Sequence, residues 1–206
     1  MAQTRTGKAR LGEPTLTASD WAEAALQLIA EKGLGALTIS ALAARLGVTK
    51  GSFYWHFKGR DDLLAAALAR WERSVGEIIR SLDAIPDHRR RLELILDAAS
   101  QPPRSRSLYA ALAEAAEDPV VRKVLQRVAS LRIDYLEVCY RGLGLAAAPA
   151  RAHAVLAYAA YRGLLQLAHE APGSLPAEWA SYAALNRQMF LPGAAPTGKP
   201  ARRLKR

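Results

Sequence analysis

Three threonines, Thr17, Thr38 and Thr49, share one local pattern. Each follows a large apolar residue (Leu16, Leu37, Val48) and precedes a second one four positions on (Trp21, Leu42, Phe53). A threonine at a helix N-cap accepts a hydrogen bond from the backbone of the first turn. The apolar residue before it packs on the fourth helical residue as a hydrophobic staple. Three such starts within about thirty-five residues predict three short consecutive helices. In the first, Asp20 holds the capping-box position, and Trp21, Ala24, Ala25, Leu28 and Ile29 recur at helical spacing until Gly33 and Gly35. In the second, Ile39, Leu42, Ala43 and Leu46 form the apolar stripe, and Gly47 supplies a left-handed turn. Only Val48 separates that glycine from the third cap, so helices two and three meet at a steep angle. This is a helix-turn-helix over residues 38–57.

The rest of the chain also reads as helix. A long helix starts near Gly59 or Arg60, with Asp61 and Asp62 in its first turn, and runs to about Leu82 before Pro86. Asp87 caps the next, to about Ser100, and Pro102 and Pro103 follow. Residues 105–117 form a short Ala-rich helix. Asp118 and Pro119 open another that reaches Gly142. A loop over Gly144–Pro149 leads to a helix at 150–171, and Pro176 opens a last one ending near Leu191. Period-two alternation is absent, so no strand is predicted. The fold class is all-α, a three-helix N-terminal unit followed by six helices. It divides into a disordered basic arm (1–14), a helix-turn-helix domain (15–75), a second helical domain (76–191) and a disordered basic tail (192–206).

The net charge is +10. Residues 1–60 carry eight basic and four acidic side chains, and residues 199–206 carry five basic and none acidic. The excess therefore sits at the ends, the signature of a polyanion partner or, for the tail alone, of a solubilising segment. No run of about 18 apolar residues predicts a membrane span. The first fourteen residues lack the apolar core of a secretory signal. Cys139 is the only cysteine, which leaves no internal disulfide and suits a reducing cytoplasm. His56, His88, His153 and His169 lack metal-ligand spacing, and Gly142-Leu143-Gly144 follows a helix rather than a strand. No metal, cofactor or catalytic site is expected. Arg89-Arg90-Arg91 reads as a solvated helix start.

The chemistry gathers on the third helix. The second helix of a helix-turn-helix presents its N-terminal residues to base edges in the major groove. Here these are Thr49, Lys50, Gly51 and Ser52. The Thr49 hydroxyl is expected to cap, leaving the first-turn N–H groups for a phosphate. Gly51 inside a helix costs roughly 1 kcal/mol against alanine, which suggests that something approaches closely. Phe53 and Phe57 turn inward. Tyr54, Trp55 and His56 cannot all be buried, and beside Lys58 and Arg60 they suit a sugar-phosphate wall. For Trp55 the alternative is packing on Trp21 or the long helix.

These residues carry a resemblance. Leu37-Thr38-Ile39, Leu42-Ala43, Leu46-Gly47-Val48, the run from Lys50 to Lys58, and Asp61-Asp62-Leu63-Leu64 together resemble the DNA-binding domain of the tetracycline-repressor (TetR) family over roughly residues 15–75. The resemblance implies a two-domain, all-helical homodimer that regulates transcription, usually as a repressor of a palindromic operator released by a small-molecule inducer. It implies phosphate contacts by Thr38, Thr49, Tyr54, His56 and Arg60. It places Ser40, Lys50, Gly51, Ser52 and Trp55 nearest the bases or the groove edge. The family often has lysine where Arg60 stands. The other class open to a basic chain is a sequence-neutral architectural protein of the nucleoid.

Beyond residue 75 the reading is architectural. The helix at 150–171 has two apolar stripes, one through Val155, Tyr158, Arg162 and Leu165, the other through Leu156, Ala160, Gly163, Leu164 and Leu167. The last helix gathers Trp179, Tyr182, Leu185, Met189 and Phe190 on one face. A helix apolar on two sides needs a second partner, here a twofold homodimer through 150–171 and 176–191, or else an internal core. An inducer pocket is expected between the long helix and those at 105–117, 118–142 and 150–171. Trp71, Tyr109, Tyr135, Cys139, Tyr158 and Arg162 are its candidate residues.

Overall fold

A computed structural model of the chain describes residues 16–102 and 108–193. The predicted arm at 1–14 and nearly all of the predicted tail lie outside the described residues. Within them the secondary structure is helical and no strand occurs. The helices are α1 (Ala18–Lys32), α2 (Ile39–Leu46), α3 (Lys50–Phe53), α4 (Arg60–Leu82), α5 (His88–Ala99), α6 (Leu108–Glu114), α7 (Pro119–Gly142), α8 (Ala147–Glu170) and α9 (Trp179–Phe190).

The first two threonine caps form as the pattern requires. Asp20 donates its N–H to the Thr17 hydroxyl, and the Asp20 carboxylate accepts the Thr17 N–H at 2.7 Å. Ala41 donates to the Thr38 hydroxyl at 3.1 Å. Gly47 ends α2 in the left-handed region, at φ 68°, and its N–H and that of Val48 return to the carbonyls of Ala44 and Ala43. Trp21, Leu37, Leu42, Phe53 and Leu63 are sealed in the centre, with the Trp21 and Phe53 rings edge-to-face at 5.4 Å. Burial of each such side chain contributes about 1.5–3 kcal/mol.

This core does not stop at the third helix. Leu68 and Trp71 of α4 extend it to Leu112 of α6 and to Val121, Val124 and Val128 of α7. The three N-terminal helices are thus welded to the rest of the molecule through the first half of α4. A second core joins Leu92 and Leu96 of α5, Leu136 and Tyr140 of α7, and Ala150 and Ala154 of α8. There α5 begins directly on the end of α7. A Cβ built on Gly142 would lie 2.2 Å from the His88 ring, so only glycine fits. Helix α9 docks on α5 through polar groups. Asn186 donates to the Ser100 hydroxyl at 2.7 Å and the Leu96 carbonyl at 3.3 Å, and Arg187 pairs with Asp97.

Several boundaries differ from the sequence expectation. Helix α8 begins at Ala147, inside the predicted loop, because Pro149 falls in its first turn, where a missing N–H costs nothing. Helix α9 begins at Trp179 rather than Pro176, and α6 ends at Glu114 rather than 117, residues 105–107 of its expected start lying outside the described residues. The arginines at the start of α5 are not simply solvated. Arg91 donates to the carbonyls of Ile85 and Asp83 and pairs with the Asp83 carboxylate, while Arg89 donates to the Pro192 carbonyl at 2.7 Å.

Candidate functional site

The α2–α3 unit presents one continuous outer face. Thr38, Ser40, Thr49, Lys50, Gly51, Tyr54, Trp55 and Lys58 are exposed on it, and Ser52, His56 and Arg60 are half-buried. Trp55 is 87% exposed and Tyr54 63% exposed. This excludes packing of Trp55 on Trp21, whose partner is Phe53. The buried Phe53 also supports this face from beneath, with Tyr54 against it at 5.3 Å and Phe57 at 5.5 Å.

Three expectations about individual groups change. The Thr49 hydroxyl makes no capping hydrogen bond. The Thr49 carbonyl instead accepts the Ser52 hydroxyl at 2.8 Å, so Ser52 is partly committed inward and Thr49 is free to face outward. Helix α3 has only 4 residues, too short for a sizeable dipole at its start. Arg60 is turned back into the protein, donating through Nε to the Leu37 carbonyl at 2.9 Å and through Nη2 to the Leu34 carbonyl at 3.4 Å. It ties the start of α4 to the entry of α2, which leaves less of it for an external anion. Arg45 is likewise held, in a two-pronged pair with Glu31. Among the described residues no carboxylate lies within ion-pair distance of the Lys50 or Lys58 side chain, so these are the cations this face offers. A Cβ on Gly51 would meet only the Thr49 hydroxyl at 3.7 Å, so nothing within the chain demands glycine there. Chemically, the face offers cations, hydroxyls and ring edges to a polyanion.

The second feature is a cavity of about 270 Å³ between α4, α5, α7 and α8. Of the six residues expected to line a pocket, Tyr135 and Tyr158 do so. Burial, helped by the nearby Cys139 and Asp83, pushes the Tyr135 phenol up to about 12, and its hydroxyl donates to Asp83 at 3.2 Å. Tyr158 shares a 3.0 Å hydroxyl–hydroxyl bond with Tyr109, and burial raises its phenol too. The other four stand behind the walls. The Trp71 and Tyr109 rings pack at 5.9 Å, and the Arg162 guanidinium lies 3.8 Å from the centre of the Tyr109 ring, with burial lowering its basicity. Cys139 is sealed in the second core, where burial pushes its thiol up to about 11. The pocket is also bounded by α5 rather than by α6, and the sequence reading missed Arg132 and Tyr161 in its lining. A signal for Arg132 was present. It stands four residues after Val128 and four before Leu136, on the apolar stripe of α7.

The family profile of bacterial regulatory proteins, tetR family, matches residues 22–67. The HTH-type transcriptional regulator AcrR of Shigella flexneri is 34% identical over 56 residues, which is 27% of this chain and 26% of that protein. The match thus spans about a quarter of that relative's length. A TetR transcriptional regulator from Legionella pneumophila superposes with a TM-score of 0.72 at 14% identity, covering 87% of this chain and 100% of its own. A transcriptional regulator from Saccharomonospora viridis, solved in complex with choline, superposes with a TM-score of 0.68 at 19% identity, covering 84% of this chain and 94% of its own. At such identities the superpositions speak for the fold, and the N-terminal match speaks for descent. Over residues 22–67, which hold the helix-turn-helix, this chain is thus similar to the TetR family of bacterial regulatory proteins, and it shares its all-helical fold with solved regulators.

Proposed function

We propose that the chain is a DNA-binding transcription regulator, acting in the cytoplasm as a repressor that a small molecule releases from a palindromic operator. The observation that carries this is the outer face of α2–α3. A tryptophan 87% exposed beside unpaired lysines has no role within the chain and suits a sugar-phosphate backbone. On this reading Thr38, Thr49, Tyr54, His56 and Lys58 grip phosphates, with a lesser share for Arg60. Ser40, Lys50, Gly51, Ser52 and Trp55 stand at the bases or the groove edge. No described helix is long and apolar enough to cross a membrane.

A second copy pairs through α8 and α9. Leu156 and Leu167 of α8 and Leu185 and Met189 of α9 are exposed, and a Cβ on Gly163 would meet nothing within 4 Å, so this small residue faces outward. Tyr158, Leu164 and Leu165 face the core instead, which divides the two predicted stripes differently from their spacing. A self-complementary patch of this kind fits a twofold dimer and hence two half-sites in successive major grooves. The cavity takes the inducer, a reading supported by a neighbour of this fold that was solved in complex with choline. Inducer and operator then oppose each other by linkage.

The test is fluorescence anisotropy of the full chain with the DNA upstream of its own gene and with a scrambled copy. The regulator binds the first selectively at moderate salt. Equal affinity for both would instead mark a sequence-neutral architectural protein.

A further inference from the structure

We propose that the cavity between α4, α5, α7 and α8 takes a small organic anion, an apolar body with a single carboxylate-like headgroup, seated on the guanidinium of Arg132. This rests on the cavity being the effector site, and it names the chemical class of effector.

The arginines along α7 differ in their pairing. Arg122 donates to the carbonyls of Ala116 and Glu117, and Arg127 makes a two-pronged pair with Glu72. Arg132, next along, lines the cavity and has no carboxylate within ion-pair distance among the described residues. Its guanidinium sits between the rings of Tyr109 and Tyr161, at 5.8 and 5.7 Å from their centres, with the Tyr158 hydroxyl beside it. Aromatic faces hold a cation in place but do not neutralise it. A guanidinium in apolar surroundings needs a counter-charge to offset its desolvation. Asp83, which accepts from the lining residue Tyr135, is already taken by Arg91 and that hydroxyl.

The remaining walls, among them Val75, Ile79, Leu82 and Leu136, offer no second polar cluster. The cavity therefore has one charged residue, three tyrosines and an otherwise aliphatic lining, which matches an amphiphile and not a sugar or a nucleotide. Its volume sits near the lower end of the roughly 300–1,000 Å³ of small-molecule sites. The way in is marked by Ile78, which lines the cavity and is yet 64% exposed, between α4 and α5. A cationic ligand meets the Arg132 guanidinium in the lining and has that of Arg162 behind the wall, on the Tyr109 ring. A neutral ligand leaves Arg132 as unpaired as before. An anion gains charge-assisted hydrogen bonds to the planar fork of the guanidinium.

The experiment is calorimetric titration of the full chain, without DNA, with decanoate, 2-naphthoate, 1-decanol and decyltrimethylammonium below their micelle concentrations. At least one of the anions binds at least about ten-fold tighter than the alcohol, and the ammonium binds weakest. Arg132→Lys keeps the preference. Arg132→Met brings decanoate and decanol within about two-fold of each other, its helicity and melting being checked by circular dichroism. If Arg132→Met does not fold, the order of head groups on the unmodified chain decides. Binding by neither anion, an alcohol or ammonium as tight as the better anion, or an anion affinity unchanged in a folded Arg132→Met overturns the proposal. Operator selectivity of the ligand-free chain is measured separately. Its loss would overturn the regulator reading and leave the anion result standing, and the reverse outcome would overturn the ligand class alone.

Discussion

Cations and aromatic rings meet twice in this protein, once in water and once out of it. On the α2–α3 face, Lys50, Lys58, Tyr54 and Trp55 stand in solvent around a buried Phe53. Their charges are hydrated and screened beyond about 10 Å at moderate salt. Such charges are matched by a repeating polyanion that meets several at once. In the interior, Arg132 and Arg162 lie against Tyr109 and Tyr161, and burial already lowers the basicity of Arg162. A charge there is poorly screened, so one well-placed counter-charge is enough to be recognised. On the proposed function, the same residue classes would select partners of different kinds, and access of water would make the difference.

The exposed face is most vulnerable from beneath. Phe53→Ala removes the ring that supports both Trp21 and Tyr54, and it should cost about 3–5 kcal/mol in urea unfolding. A loss under about 1 kcal/mol would show that the face is not built on that ring. The enclosed half should reveal itself in alkali. Burial raises Tyr140 from 10.0 to about 12, and its hydroxyl donates to the Phe190 carbonyl at 2.7 Å. The folded state thus keeps a proton that the unfolded chain releases near pH 10. This stability is complete below pH 10 and is lost as pH rises toward 12. It amounts to roughly 2–3 kcal/mol. Tyr140→Phe should flatten the fall in stability over that range, and an unchanged slope would contradict the assignment.

Smaller effects sharpen the contrast. Lys58→Ala should lower the slope of log affinity against log salt for DNA by about 1. Arg132→Met should leave that slope alone, because Arg132 lines the cavity between α4, α5, α7 and α8 and is not on the α2–α3 face. Trp55→Ala should change stability by less than about 0.5 kcal/mol while weakening DNA binding. A larger loss of stability would make that ring structural.

What the sequence revealed depended on the range of the interaction. Thr17 and Thr38 act on residues three positions away, so their caps and the positions of α1 and α2 were legible. So were the Asp87 and Asp118 caps and the glycine turn at Gly47. Thr49 broke the pattern because its neighbour Ser52 uses the Thr49 carbonyl and the four-residue helix needs little capping. The destinations of Arg60 and Arg89 were not legible, since carbonyls distant in sequence receive them, and that of Arg91 depends on how the chain turns between α4 and α5. The pocket was half legible. Its tyrosines on α7 and α8 stood out, but the share of α5 depends on how the helices pack. Arg132 was readable from its place on an apolar stripe, a signal that its charge made easy to discount.

The two hydrogen bonds from Arg60 to the carbonyls of Leu37 and Leu34 have a mechanical consequence. They clamp one end of α4 to the α2–α3 unit, while Val75, Ile79 and Leu82 near its other end line the cavity. With its 23 residues, α4 is a rod about 34 Å long. A tilt of about 6° at the cavity end carries the clamped end sideways by between 3 and 4 Å, roughly the rise of one base pair. On the proposed function, a small tilt imposed by a molecule in the cavity would therefore be delivered to the α2–α3 face as a shift on the scale of one base pair.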